Sequence, residues 1–134
     1  MPPPNDIIIS ADTIVILEGK VFGKPQNKIE AYDMLSSLSN KPHEVKTIYT
    51  IYCESLKISH TRVITSKVYF NELSDQLIKD YIASGSPLDK AGAYGVQDND
   101  QFPIISHIEG SYTNIVGLPV DELKKDLITL GLIA

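Results

Sequence analysis

The stretch Ile7-Ile8-Ile9-Ser10-Ala11-Asp12-Thr13-Ile14-Val15-Ile16-Leu17 constrains the chain more than any other. Such a run of Ile, Val and Leu suits a buried β-strand covered on both faces. One acid, Asp12, interrupts it. A polar group buried there without a partner costs about 2–7 kcal/mol, so Asp12 needs backbone donors, a cation or a metal. Two readings stand at this point: a strand-end acid satisfied by backbone N–H groups, or an acid held at the mouth of a cleft for chemistry.

The remaining composition narrows the class. With 134 residues, 43% hydrophobic and 22% charged, the chain has globular composition and a length that fits one domain, residues 1–134. The 12 Lys and Arg residues are scattered and outnumbered by 17 Asp and Glu, giving a net charge of −5. That argues against a nucleic-acid polymer as partner, because duplex binding needs a concentrated basic patch. A nucleotide is a different matter, since a small phosphorylated ligand needs only a few cations, a helix N-terminus and often a divalent metal. Cys53 is the only cysteine, so no internal disulfide forms, as a reducing compartment allows. The opening residues lack a basic leader pattern, and Asp12 breaks the aliphatic run before it reaches membrane-spanning length. The expectation is a cytoplasmic protein with no membrane partner.

Periodicity assigns the elements. Glu18-Gly19-Lys20 offers a turn, after which Val21-Phe22 can run back before Gly23-Lys24-Pro25 ends the segment in a loop. Asn27 with Glu30 three residues on reads as a helix N-cap, followed by Ala31, Met34, Leu35 and Leu38 on one face. Residues 44–53 and 58–70 are rich in β-branched and aromatic residues and predict a hairpin. Ser74 caps a short helix bearing Leu77, Ile78, Tyr81 and Ile82, which Gly85 ends. Residues 86–117 are rich in loop-forming residues, and their apolar islands Ile104-Ile105 and Ile115-Val116 predict short strands. A last helix starts at Pro119, with Val120, Leu123, Leu127 and Leu130 on one face.

Several catalytic signatures are absent: no P-loop, no G-x-G-x-x-G, no G-x-S-x-G and no C-x-x-C occurs. His43, His60 and His107 lack metal-ligand spacing, so each is expected in a surface or structural role. The chemistry-bearing segments are Asp12-Thr13, Gly23-Lys24-Pro25 and Asp89-Lys90-Ala91-Gly92-Ala93-Tyr94-Gly95-Val96-Gln97. In the last, Gly92 and Gly95 let the backbone approach a ligand, while Asp89, Lys90 and Gln97 offer an acid, a cation and an amide. The same residues also suit a tight glycine turn with a solvated Asp-Lys pair, and Lys24 alone suits a solvated surface charge.

Five ordered blocks reach further than any one of them: Ser10-Ala11-Asp12-Thr13, Gly23-Lys24-Pro25, His43-Glu44-Val45-x-Thr47, Asp89-Lys90-Ala91-Gly92-x-Tyr94-Gly95-x-Gln97, and Asn114-x-Val116-Gly117-Leu118-Pro119. In order and approximate spacing the chain resembles the Maf family of nucleoside triphosphate pyrophosphatases, from Ile8 to the last helix. The resemblance implies an α/β domain with a mixed, twisted sheet and flanking helices, often a homodimer. It implies hydrolysis of a nucleoside triphosphate to the monophosphate and pyrophosphate with a divalent metal, magnesium or manganese. The family's acidic catalytic residue falls on Asp12, which is also a possible metal ligand. Lys24 and Lys90 match positions near the phosphates, with Asp89 beside them, and Thr13 and Gln97 match positions tied to base selection. Their identities lean to the branch that resembles dTTP and UTP pyrophosphatases.

Three departures qualify the resemblance. Family members usually carry an N-terminal segment ahead of this strand, with a Ser-x-Arg-Arg-type loop that grips the triphosphate, and the expectation is that Asp12 here faces a half-built cleft. Ser10 stands where the family usually has Gly, and the polar run Asp98-Asn99-Asp100-Gln101 follows Gln97. The alternative function is therefore a catalytically silent nucleotide-binding or dimerising module.

Overall fold

The computed structural model describes residues 4–133. Five strands form one sheet: β1 (Ile7–Leu17), β2 (Lys20–Phe22), β3 (Pro42–Cys53), β4 (Ile58–Phe70) and β5 (Ile105–Glu109), in the order β2-β1-β3-β4-β5. The helices are α1 (Lys28–Leu38), α2 (Asp75–Ala83), α3 (Tyr112–Val116) and α4 (Val120–Thr129), with three short 3-10 turns between α2 and β5. The α/β class with flanking helices is as expected. The sheet is antiparallel at every pairing among the described residues, not mixed.

The long hairpin of β3 and β4 forms the centre of the sheet. Along β3 the side chains alternate: His43, Val45, Thr47, Tyr49, Ile51 and Cys53 are buried, whereas Ile48 and Tyr52 on the other face are each 41% exposed. That two-residue period separates a covered face from an open one. The register runs from Pro42 opposite Tyr69 to Cys53 opposite Ile58. Lys57 closes the turn at φ 53°, its N–H donating to the Glu54 carbonyl at 3.1 Å.

Helix α1 begins where the sequence indicates, because the Asn27 carboxamide oxygen accepts the Glu30 N–H at 2.8 Å and satisfies an otherwise orphaned donor. Its Ala31, Leu35 and Leu38 are fully buried against Val15, Val45, Val68 and Phe70 of the sheet and Ile78, Tyr81 and Ile82 of α2. Full burial of one such aliphatic side chain contributes about 1.5–3 kcal/mol. A second cluster lies at the other end of the covered face, where Leu123 and Leu132 pack on Tyr49, Ile51, Cys53 and Ile64. Asp126 of α4 locks this end by accepting from Arg62 at 2.9 Å and from the Tyr49 hydroxyl. Burial, reinforced by that carboxylate, pushes the Tyr49 phenol up to about 12. No helix among the described residues is long and apolar enough to cross a membrane.

Two further sequence expectations are corrected. The first concerns β1: it is not covered on both faces, since residues 8–12 are exposed, with Ile8 at 59%, and burial begins only towards Val15 and Leu17. The reason is topological. β2 pairs only with Val15, Ile16 and Leu17, leaving the first part of β1 as a free edge of the sheet. The second concerns Ile115-Val116, which lies in α3 and not in a strand. There the Ser111 hydroxyl accepts the Asn114 N–H at 3.1 Å, so a local cap outweighs the β propensity of two residues.

The structural role expected of His43 has a measurable consequence. Its ring is 2% exposed, lies edge-on to Phe70 and Tyr94, and places Nε2 at 2.5 Å from the Tyr94 hydroxyl. Burial holds its imidazole down at about 4, against an ordinary 6.5. Between those values the unfolded chain takes up a proton that the folded chain refuses, so stability is complete above the upper value and falls as pH drops towards the lower one. Urea titrations from pH 7 to pH 4 should register a loss of up to roughly 3 kcal/mol from this group. His43→Gln, which cannot titrate, should remove that component, and an unchanged pH slope would show that His43 is not its source.

Candidate active site

The free edge of β1 borders a cleft of about 270 Å³. Its walls come from Ala11, Asp12 and Thr13 on β1, Lys24 after β2, the 89–97 segment, and the end of α3. Asp12, Thr13, Lys24, Asp89, Lys90 and Gln97, which lie far apart in sequence, all line it.

Thr13 anchors the floor. It sits opposite Thr47 in register, and the two hydroxyls are 2.8 Å apart. Thr13 Oγ1 also lies 3.2 Å from the Gly117 carbonyl, just past the C-terminal end of α3. Helix α3 is held by Asn114, which is fully buried and whose Nδ2 lies at 3.1 Å from the Val45 carbonyl, 3.0 Å from the Ile64 carbonyl and 3.0 Å from Ser66 Oγ.

Asp12 leaves the strand in the other direction. It pairs with Ile48 on the open face, and because the edge here is free the cleft reaches around to it. The buried acid expected from the aliphatic run is thus an exposed one, and no side-chain hydrogen bond or ion pair engages it among the described residues. Its carboxylate is therefore open to water, a cation or a ligand.

The 89–97 segment is folded tightly against β1. Gly92 adopts φ +72°, and a Cβ there would stand 2.9 Å from Val15 Cγ2, so only glycine lets the loop approach. Its N–H donates to the Gly23 carbonyl at 3.0 Å, which ties this loop to the segment carrying Lys24. Lys90 Nζ donates to the Ser86 carbonyl at 2.8 Å, to Ser86 Oγ at 2.9 Å and to Asp89 Oδ1 at 3.2 Å. The hydrogen bond from Lys90 lowers the Asp89 carboxyl below its ordinary range.

Two lysines and two aspartates thus line the cleft. The formal side-chain charges of Lys24, Lys90, Asp12 and Asp89 cancel, so a polyanion entering it brings charge that these residues do not neutralise. No cluster of three or more His, Cys, Asp or Glu side chains suited to a metal occurs among the described residues. The oxygen donors that are present suit a hard cation of the magnesium type, which commonly uses one or two carboxylates together with water and substrate phosphates instead of an all-protein cage.

Sequence reasoning named the walls but not their supports. Ser86, Tyr81 and Asp98 carry the hydrogen bonds behind Lys90, and no motif marked them. A serine ahead of a proline in a turn and a polar residue after Gln97 were the only signals.

The frame of this α/β chain is thus an antiparallel sheet whose free edge borders a small cleft lined by two acids and two lysines. The chain belongs to a known family: residues 2–130 match the family described as Maf-like protein. It is 48% identical over 125 residues to a dTTP/UTP pyrophosphatase of Carboxydothermus hydrogenoformans, covering 93% of this chain and 67% of that one. To the dTTP/UTP pyrophosphatase of Geobacter sp. (strain M21) it is 44% identical over 123 residues, covering 92% of this chain and 63% of the relative. The protein of that description in Pyrococcus furiosus is 48% identical over 128 residues, covering 96% and 65% respectively. The chain therefore spans a little under two thirds of the length of such relatives as the Geobacter one.

Proposed function

We propose that this chain is one Maf-like unit of a nucleoside triphosphate pyrophosphatase that converts dTTP or UTP to the monophosphate and pyrophosphate. The observation that carries the reading is the convergence of Asp12, Thr13, Lys24, Asp89, Lys90 and Gln97 on one cleft, in a chain whose relatives are described as dTTP/UTP pyrophosphatases.

In this reading Asp12, exposed and uncommitted, takes the proton of the attacking water, and Lys24 and Lys90 balance phosphate charge. Such a reaction rests on charge neutralisation and a positioned base more than on a covalent nucleophile. Thr13 and Gln97 meet the base, the amide offering both a donor and an acceptor to a pyrimidine edge. A divalent cation, magnesium or manganese, would be held by Asp12 together with the phosphates and would supply the positive charge that the lining side chains lack. The protein acts in the cytoplasm, as a homodimer.

A panel of triphosphates tests the substrate class. With magnesium present, dTTP and UTP should be turned over at least about tenfold more efficiently than dATP or dGTP, a margin that one lost base hydrogen-bonding pattern supplies. Equal rates on purines would overturn the assignment of Thr13 and Gln97. Gly95→Ala gives a complementary result. A Cβ there would stand 2.8 Å from Lys90 Cδ and Cε and 2.9 Å from Gln97 Oε1, while φ −125° suits any residue. Lys90 and Gln97 must shift, and Lys90 then gives up its ties to Ser86, so the unfolding free energy should fall by about 1–3 kcal/mol, and KM for dTTP should rise about tenfold or more as both side chains leave their places. A destabilised variant with unchanged KM would contradict this account of Gly95.

A further inference from the structure

Behind the cleft, Asp98 gathers three parts of the chain. Its Oδ2 accepts from the Tyr81 hydroxyl of α2 at 2.7 Å and from Ser86 Oγ at 2.6 Å. The Tyr81 oxygen in turn accepts the Gly95 N–H at 3.0 Å. Neither Asp98 nor Ser86 lines the cleft.

The direction of these bonds is fixed by proton count. A serine hydroxyl has one hydrogen. With that hydrogen given to the Asp98 carboxylate, Ser86 Oγ can only accept from Lys90 Nζ, at 2.9 Å. The Ser86 carbonyl takes a second ammonium hydrogen at 2.8 Å, and the third goes to Asp89 at 3.2 Å. Asp89 is 80% exposed, and such surface pairs are weak. Two of the three Lys90 hydrogens are therefore held from behind, and the third points at an acceptor that an incoming anion can replace.

We propose that Asp98 is a positioning residue for Lys90: through the Ser86 hydroxyl it orients the ammonium so that a ligand phosphate displaces Asp89 from the remaining donor. The functional half of this inference rests on the triphosphate reading above. The structural half does not.

Two readouts separate the halves. In nitrogen-15 spectra of the lysine ammonium groups of the ligand-free chain, assigned with Lys90→Arg, the Lys90 signal should be sharpened by slow hydrogen exchange. It should broaden away in Ser86→Ala and Asp98→Ala and return in Ser86→Thr, which keeps the hydroxyl. A signal absent from the parent chain, or unaltered in Ser86→Ala and Asp98→Ala, would overturn the proposal whether or not the protein turns over nucleotide. In steady-state assays with dTTP and magnesium, Ser86→Ala should raise KM about tenfold, the scale of one hydrogen bond to a charged group. Its kcat should stay within about threefold, and Ser86→Thr should restore KM. A merely structural tie would instead lower thermal stability with KM unchanged, and that result would overturn the positioning role. Absence of dTTP turnover in the parent chain would remove the pyrophosphatase reading and leave the ammonium spectra to decide the rest.

Discussion

Asp12→Asn should lower magnesium-dependent pyrophosphate release from dTTP by about 10²- to 10⁴-fold, the range over which a positioned general base acts. The substitution keeps the size of the side chain and removes its ability to take a proton. Asp12 is exposed, with no side-chain hydrogen bond or ion pair among the described residues, so the folded state should lose almost nothing and the unfolding midpoint should stay where it is. Retained folding with lost turnover marks a residue that acts on the reaction and not on the scaffold. Release at the parent rate would exclude Asp12 as the base.

The second large effect is on stability. Asn114→Ala should cost about 2–4 kcal/mol in unfolding free energy, because it empties a fully buried site and removes the donor shared by the Val45 and Ile64 carbonyls and Ser66. Asn114→Asp retains the volume but exchanges the amide donors for a buried acid, and should be as damaging. If Asn114→Asp were neutral in urea denaturation, volume and not hydrogen bonding would be what Asn114 contributes. The loss should extend to the cleft, since α3 carries the Gly117 carbonyl that Thr13 meets.

Much of this arrangement is legible in the chain itself, for reasons that differ from residue to residue. Asn27 and Ser74 announce the starts of α1 and α2 because capping is local, a side-chain oxygen meeting an N–H three residues on. The β3–β4 hairpin is legible because its buried residues alternate along a strand. The exposure of Asp12 is not legible in the chain, for the converse reason. Whether an aliphatic strand is covered depends on where its neighbours stop, and β2 stops after three residues. The sequence pattern of β1 carries no record of that. Ser86, Tyr81 and Asp98 were equally hidden, because their value lies in an encounter between α2 and a glycine-rich loop that no local rule predicts. The candidate cleft residues were visible only as a set, since Lys24 or Asp12 alone is an ordinary surface charge.

The most direct test of the central claim is the product balance for dTTP incubated with the purified chain and magnesium. The account predicts one dTMP and one pyrophosphate for each dTTP consumed, with no inorganic phosphate, and loss of both products when the metal is chelated. Release of inorganic phosphate with dTDP, or binding of dTTP without any product, would contradict it.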